Sequence, residues 1–388
     1  MKVEKVLIPL AVIIFAAGLI FWKMKSQNPA TLFLANEAIS VVPADENILL
    51  EVSADKNSAA KEEAIELTYH LLTRYDSHYE GLETEPRFPG FWIERLDITD
   101  KTGSEMVELN GKRYMSVPVY KLRLYPLKAG ELVIKPGSAN VRIKDEGGVF
   151  KRMFVGSRPI TITVKETGLE SKFVPGFSLP ENIPSTAGVP QIILLMDVSG
   201  SMIARDLSPD RISAARKAAQ DFLDSKPNAA IGIKAYAKKV ETVAPLSGQN
   251  PGSALQKVAV GMMADGTALG DAMLDAVKEF KPAPGLRAIV ILTDGDPDNA
   301  GNLEPVTAAE FGKKRGVSVF VVHIGKKGLV PFPVNDPLFG RRNISVEIKP
   351  DEEILKEIAF TTGGQYFKAE NETQIQEAFA AIRRKLKV

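Results

Sequence analysis

Carboxylate and hydroxyl side chains occur in three separate segments of the sequence, which we call the metal segments. The first segment, Asp197-Val-Ser-Gly-Ser201, places one carboxylate and two hydroxyls at alternate positions directly after the apolar run 191–196. The second, Asp265-Gly-Thr-Ala-Leu-Gly-Asp271, opens a predicted helix, and the third, Thr293-Asp294-Gly-Asp296, follows the apolar run 289–292. Magnesium prefers oxygen ligands in a near-octahedral shell and commonly keeps several waters. The three segments therefore predict a Mg²⁺ site, with Mn²⁺ or Ca²⁺ as alternatives.

The elements around these segments alternate between apolar strands and amphipathic helices. Predicted buried strands cover 191–196, 230–236, 288–292 and 317–322. Predicted helices begin near Pro209, Gly270, Leu303, Asp351 and Thr373. Such alternation favours right-handed crossovers and a parallel sheet covered on both faces, with ligands at the carboxyl ends of the strands. We therefore expect residues 189–388 to form a doubly wound α/β (Rossmann-like) domain that brings the three segments to one crevice.

The order Asp-x-Ser-x-Ser, then threonine, then a later aspartate resembles the metal-ion-dependent adhesion site of the von Willebrand factor A domain. Its five positions are matched in order by Asp197, Ser199, Ser201, Thr267 and Asp294, and the resemblance implies that these residues are the metal ligands. The resemblance implies a divalent cation whose open coordination position accepts an Asp or Glu carboxylate from a partner protein. Strand-end caps and turns are the alternative interpretation of the same residues.

Further motifs are similar to those of bacterial aerotolerance (Bat-type) membrane proteins. The motifs that resemble BatA/BatB-like A domains are 202–211, 298–301, 337–342 and 362–367. The motifs that resemble BatD-like proteins are 88–92, 110–114 and 125–131. The resemblance implies a fusion of two proteins that act side by side, with other Bat-type proteins and a MoxR-type ATPase system as expected partners.

The part of the chain before residue 171 consists mostly of short alternating runs. Such runs occur at 47–52, 64–72, 117–125, 131–134, 140–143 and 160–164. They are separated by turn sequences such as Asn110-Gly111 and Pro136-Gly137, a pattern typical of an antiparallel β-sandwich. We expect this sandwich over 29–170, followed by a Pro-rich linker at 171–188. Phe91 and Trp92 belong either to its core or to an exposed loop.

An uncharged apolar run from Val6 to Trp22 is flanked by lysines on both sides. At about 1.5 Å per residue it is long enough to cross most of a bilayer, so residues 1–28 are predicted to form a single-pass anchor in the cell inner (cytoplasmic) membrane. A cleaved signal peptide and a buried core helix are the alternatives. An N-terminal anchor most often exports the polypeptide attached to its C-terminal end, so we expect the folded domains on the extracytoplasmic side.

The composition and the missing catalytic motifs exclude several classes of function. The 388 residues contain no cysteine, which excludes disulfides, zinc–thiolate sites and thiol nucleophiles, and the net charge of +1 gives no overall attraction to nucleic acid. No histidine accompanies the metal segments, and no P-loop, HExxH or GxSxG pattern occurs. We therefore expect a metal-dependent binding scaffold and no enzyme. The alternatives are an accessory subunit of an AAA+ chaperone or chelatase and a metal-assisted hydrolase.

The sequence allows more than one role for several other polar residues. Asp206 and Asp271 are candidates to tune the metal site or, equally, to serve as helix N-terminal charges. Asp296 and Asp298 are expected to be solvated loop residues. A structural role is expected for each of the three histidines, His70, His78 and His323.

Overall fold

The computed structural model describes most of the chain beyond residue 45. The described residues are 46–98, 103–144, 148, 150–167, 188–225, 227–246, 251–281, 285–295, 301–336 and 340–388. Residues 47–388 form one compact unit. The predicted anchor, nearly all of the predicted linker, and Asp296 and Asp298 lie outside the described residues. Within the described ranges, no helix combines the length and the apolar character that a membrane span requires.

The first half of the unit is a β-rich region built from three sheets. Its strands are β1 (Ile48–Ala54), β2 (Ser58–Ala60), β3 (Ile65–Thr73), β4 (Asp76–Thr84), β5 (Phe91–Leu96), β6 (Glu105–Leu109), β7 (Lys112–Pro126), β8 (Gly130–Ile134), β9 (Ser138–Lys144), β10 (Phe150–Gly156) and β11 (Ile160–Lys165). One sheet has the order β1-β3-β7-β5, with β6 paired to β7, and the other two have the orders β10-β9-β4 and β2-β11-β8. All these pairs are antiparallel except β2 with β11.

Side chains from all three sheets meet in one core. Alternate positions of β3, including Ile65, Leu67 and Tyr69, are buried, as the period-two pattern predicts. Asn110 and Gly111, both with positive φ, form the tight turn between β6 and β7. The six runs identified as strands in the sequence are all confirmed, and Phe91 belongs to the core. Strands β2, β4, β5, β6 and β10 were not predicted.

The second half is an α/β domain around a six-stranded sheet. Its strands are β12 (Gln191–Asp197), β13 (Ala230–Tyr236), β14 (Val240–Ala244), β15 (Arg287–Thr293), β16 (Val317–Ile324) and β19 (Gln365–Ala369). Their order in the sheet is β14-β13-β12-β15-β16-β19. Every neighbouring pair is parallel except β13 with β14, which is antiparallel at the edge. The four predicted parallel strands are confirmed, and β14 and β19 complete the sheet.

Helices cover both faces of this sheet, so two apolar clusters lie on its two sides. The helices are α1 (Arg211–Asp224), α2 (Pro251–Leu255), α3 (Leu269–Glu279), α4 (Pro305–Lys314), α5 (Glu352–Thr362) and α6 (Glu372–Leu386). The cluster on one side contains buried residues of α1 and α6, and the cluster on the other contains those of α3, α4 and α5. All five predicted helix starts lie within a few residues of the observed ones.

A separate antiparallel hairpin projects from the end of β16. Its strands are β17 (Gly328–Asp336) and β18 (Gly340–Ile348). Val330 and Ile348 pack against Ala204, which follows a short 3₁₀ helix (Gly200–Ile203) after β12. The amide of Arg205 also donates to the carbonyl of Pro331 over 2.8 Å. The hairpin is therefore held beside the first of the three metal segments.

Strand β5 of the β-rich region contacts the α/β domain directly. Trp92 forms an isolated antiparallel bridge with Leu303. The amide of Ile93 donates to the carbonyl of Asn302 over 2.7 Å, and the Asn302 side-chain amide donates back to the carbonyl of Ile93 over 2.5 Å. Leu127, in the turn after β7, is buried in the α/β core. The β-rich region and the α/β domain thus share backbone hydrogen bonds and apolar contacts.

Candidate metal site

Asp197 is the last residue of β12, where the central strand of the sheet reaches its carboxyl edge. Its side chain is fully buried. Oδ1 accepts from the amide of Ser199 over 2.9 Å, and Oδ2 accepts from the hydroxyl of Thr293 over 2.7 Å. Thr293 ends the neighbouring strand β15, so these bonds fix the Asp197 carboxylate between the two central strands.

Ser199, Ser201 and Asp294 lie together beside Asp197. The two serine hydroxyls are 3.1 Å apart. The Ser201 hydroxyl lies near enough to the carboxylate of Asp294, which directly follows β15, to lower its pKa. The structure therefore brings four of the five predicted ligands into mutual contact through two adjacent strand ends.

Thr267, the fifth predicted ligand, lies in the loop before α3, and its side chain is buried. Two residues earlier, Asp265 accepts from the amide of Gly200 over 2.7 Å, which holds this loop against the first metal segment. A Cβ on Gly200 would come within 2.8 Å of the Asp265 carboxylate, so a larger residue at position 200 would displace that side chain. All three predicted segments therefore meet at one edge of the sheet.

Asp294 is also paired with a buried cation. Arg211, the first residue of α1, donates from Nη1 to Oδ2 of Asp294 over 2.9 Å. Its Nε and Nη2 donate to the two carboxylate oxygens of Asp206, both over 2.8 Å. Arg211 and Asp294 are each only 1% exposed. Asp206 therefore acts on the site through Arg211, which links it to Asp294.

The electrostatics of this cluster match a bound cation. Burial, together with the negative charge of Asp294, raises the pKa of Asp197 to about 7. Burial also raises the pKa of Asp294, against the effect of Arg211. Oδ1 of Asp294 is buried, and no described side chain or backbone group forms a hydrogen bond with it. Two buried carboxylates that are costly to ionise, with one oxygen left without a donor, are the arrangement that a divalent cation would stabilise.

Asp271 connects the second and third metal segments. Its carboxylate accepts from the amides of Asn302 and Leu303 over 2.8–3.1 Å. Gly270 lies so close to this loop that a Cβ would come within 1.9 Å of the Leu303 carbonyl oxygen. Asp271 does not bond to any predicted ligand in the described part of the chain, and its observed role is to hold the loop that follows Asp294.

His323, at the end of β16, is a structural neighbour of the site. It is 1% exposed, and its Nδ1 lies 2.8 Å from the Tyr366 hydroxyl. Burial lowers its pKa to about 4. The prediction of a structural role is consistent with this packing.

A cleft of about 470 Å³ opens beside the metal segments. Ser201 and Asp265 line it on the metal side, and Glu83 of β4 contributes from the β-rich region. Gly200 also lines it, and the remaining lining residues belong to the hairpin and its C-terminal end: Phe332, Val346, Glu347, Ile348 and Lys349. The candidate site therefore lies beside a cleft to which both halves of the unit contribute.

Three residues of the site were not predicted as functional from the sequence. The Thr293 hydroxyl donates to the Asp197 carboxylate, the Asp265 carboxylate accepts from the Gly200 amide, and the Arg211 guanidinium donates to the Asp294 carboxylate. Thr293 and Asp265 lie within the quoted segments, so their position was a signal for them. Arg211 ends the motif 202–211, but its charge predicts an exposed side chain, so its contact with Asp294 was not expected.

Comparison with known proteins identifies the α/β domain. Residues 192–296 match the family model of the von Willebrand factor type A domain. The A domain predicted from the five-residue pattern is therefore confirmed over these residues.

The chain is also similar to curated bacterial proteins. It is 29% identical over 216 residues to a UPF0353 protein of Mycolicibacterium gilvum and 31% identical over 214 residues to one of Mycolicibacterium vanbaalenii. Each alignment covers 50% of this chain and 60% of the relative. The chain thus spans less than two thirds of the length of these relatives.

Among solved structures, the chain is similar to the conserved hypothetical protein BatB from Bacteroides thetaiotaomicron and to an aerotolerance-related membrane protein from Bacteroides fragilis. Both are 26% identical to it, and both alignments cover 52% of this chain and 99% of the other. The TM-scores are 0.46 and 0.45.

Proposed function

We propose that the A domain binds a divalent cation, Mg²⁺ foremost, and through it an Asp or Glu side chain of a partner protein. The observation that carries the proposal is the buried, unpaired Oδ1 of Asp294 beside the buried Asp197 carboxylate. Asp197, Ser199, Ser201, Thr267 and Asp294 would hold the cation. The chain is then a binding scaffold and not an enzyme.

The donor set explains why a partner's carboxylate would be favoured. Serine and threonine hydroxyls are neutral, so only two of the five proposed ligands carry charge. One of these, Asp294, is shared with Arg211. A cation held in this way keeps a strong preference for a further anionic ligand, and the partly buried setting strengthens that interaction relative to bulk water. The same charge would repel a basic partner side chain.

We further propose that residues 6–22 anchor the chain in a bacterial inner membrane, with the folded residues on the extracytoplasmic side. The support is the uncharged apolar run with its flanking lysines. The BatD-like motifs of the β-rich region support a scaffold that combines two neighbouring envelope proteins in one chain. Mass spectrometry of the membrane-extracted protein tests the anchor, because a mature chain beginning after Gly18 would contradict it.

The metal assignment is tested with Asp197→Asn. At a Mg²⁺ concentration of about one hundred times the Kd, the wild type should gain about 2.7 kcal/mol of stability over its EDTA-treated form, and Asp197→Asn should gain none. Because the variant removes a buried carboxylate that is costly to ionise, it should be at least as stable as the wild type in EDTA at pH 8. Thermal unfolding of the detergent-solubilised full chain measures both effects.

Asp221→Asn is the matched control, because Asp221 is an exposed carboxylate on α1 away from the site. It should retain the full Mg²⁺ effect. Proteins retained from solubilised envelopes by the wild type in Mg²⁺ should be released by EDTA and not retained by Asp197→Asn. Equal Mg²⁺ stabilisation of Asp197→Asn and wild type would overturn the assignment.

A further inference from the structure

The two strands of the projecting hairpin expose different edges. Pro331 pairs with Ser345, and Pro333 pairs with Asn343. The Pro331 carbonyl accepts from Arg205, which lies outside the hairpin, so Pro331 occupies a non-hydrogen-bonded pair whose backbone groups point away from β18. Two residues on, Pro333 has the same orientation. The outer edge of β17 therefore lacks two backbone N–H donors, and the amide of Arg205 already bonds to one of its carbonyls.

The outer edge of β18 has no such block. The register makes Arg341, Asn343, Ser345 and Glu347 the residues whose amides and carbonyls point outward. In the described ranges, none of these backbone groups bonds to another element. Nearly the whole strand is exposed to solvent. Strand β18 thus offers a row of four residues with free backbone donors and acceptors.

This free edge runs toward the cation site. The C-terminal end of β18 borders the cleft that Ser201 also lines. Phe332, Val346 and Ile348 give the cleft an apolar wall. An extended segment lying along the edge would therefore meet, in order, backbone groups, apolar surface and the metal ligands.

The charge of the hairpin favours an acidic segment. The exposed cations on the hairpin and at its base are Arg205, Lys326, Lys327, Arg341, Arg342 and Lys349. Glu347 is the exposed anion among the described side chains of β18. On the opposite wall, Glu83 lies at a β-bulge of β4 and would disfavour an acidic side chain on its own side. Because successive side chains of a strand point to opposite faces of a sheet, the acidic residues of the segment would be those on the face turned toward the cation.

We propose that an extended acidic segment of a partner protein adds to the free edge of β18 as a third strand and presents an Asp or Glu to the cation. This inference rests on the proposed function. Backbone hydrogen bonds to β18 provide affinity, and the metal–carboxylate bond fixes the register of the segment.

The test selects peptides from a random nonapeptide library displayed on phage, using the Mg²⁺-loaded full chain as bait. Selected peptides should carry an Asp or Glu and should lose binding in EDTA. Ser345→Pro removes an outward amide of β18 without breaking a bond inside the hairpin, and it should weaken binding by about tenfold or more, since the loss of one or two backbone hydrogen bonds has that size. Ser345→Ala keeps the amide and is the matched control.

Hydrogen exchange provides the direct measurement. The amides of Asn343, Ser345 and Glu347 should exchange more slowly in the complex than in the free chain. If Mg²⁺-dependent peptides bind Ser345→Pro as tightly as wild type, the strand-addition inference fails while the proposed function stands. If no selected peptide depends on Mg²⁺ and a carboxylate, both fail.

Discussion

Arg211 carries a full charge although it is almost completely buried, and its guanidinium lies between Asp206 and Asp294. A third contact, from Nη2 to the carbonyl of Lys326, joins the same group to the base of the hairpin. Gly325 makes this possible, because a Cβ there would come within 2.3 Å of the guanidinium. Arg211 therefore orients Asp294 so that one oxygen is paired and the other is left for a cation.

Arg211→Met should lower the free energy of unfolding in EDTA by about 3–5 kcal/mol, because two buried carboxylates lose their partner. The variant should gain more stability from Mg²⁺ than the wild type does, since the cation then replaces part of the missing positive charge. Urea unfolding with EDTA or Mg²⁺ measures both quantities. Arg205→Met, at an exposed neighbour, should change stability by less than about 1 kcal/mol. A smaller Mg²⁺ effect in Arg211→Met would contradict this role.

His323 predicts a loss of stability in mild acid. Its pKa is about 4 in the folded chain and 6.5 for the unperturbed side chain. As the pH falls below 6.5, the unfolded chain takes up the proton first, so folding loses up to about 3 kcal/mol between pH 6.5 and 4. Above pH 6.5 the contribution is constant.

The difference in unfolding free energy between wild type and His323→Gln, followed from pH 7.5 to 4, isolates this contribution. His78 is exposed, so His78→Gln should follow the wild-type profile. Parallel pH profiles for His323→Gln and wild type would show that His323 does not titrate in this range.

At the scale of elements, the helices were the most predictable part of the chain. Asp210, Asp351 and Asn371 each cap the N-terminus of a helix by accepting from a backbone amide three residues later. Such caps are local signals, and they lie beside apolar periodicities that the sequence shows directly. The buried strands of the parallel sheet were predicted for the same reason.

The hairpin β17–β18 was not predicted, and Pro331 and Pro333 explain why. Proline in an alternating run normally argues against a strand, because it cannot donate to a neighbour. Here both prolines occupy outward positions, where no donor inside the hairpin is lost. Their tolerance depends on the pairing register, which the local sequence does not reveal.

In the candidate site, too, the local features could be predicted from the sequence and the long-range contacts could not. The ligand types and their order were readable, whereas the contacts that position them depend on distant segments meeting. Arg211 reaches Asp294 across 83 residues, and Thr293 reaches Asp197 across 96. Only the folded chain shows these contacts.

At the scale of the whole molecule, the β-rich region and the α/β domain are joined closely enough to predict joint unfolding. Trp92 packs against the α/β core, and Lys128 forms an ion pair with Glu310 over 2.7 Å. Arg87 forms a further ion pair with Asp351. The predicted boundary at 171–188 stays a prediction, but the two halves are not independent on either side of it.

In calorimetry of the full chain, residues 47–388 should unfold in one transition. Trp92→Ala should lower the midpoint and separate two transitions, because it removes an aromatic contact that both halves share. Phe150→Ala, at a side chain of the β-rich region that is 64% exposed, should leave the single transition intact. Two transitions in the wild type would show that the contact is too weak to couple the halves.

The contact between β5 and the α/β domain also constrains the order in which the chain is made. Its hydrogen bonds join residues 206 to 217 positions apart, among them Gly90 with Thr307 and Arg95 with Gly301. During synthesis, β5 is therefore complete long before its partner exists, and it remains an open sheet edge while more than half of the polypeptide is still to come. Contacts of such long sequence separation close slowly. The nascent chain thus passes through a stage in which Trp92 and the backbone of β5 are exposed. At that stage a chaperone or an export machinery would find the largest unpaired surface to bind.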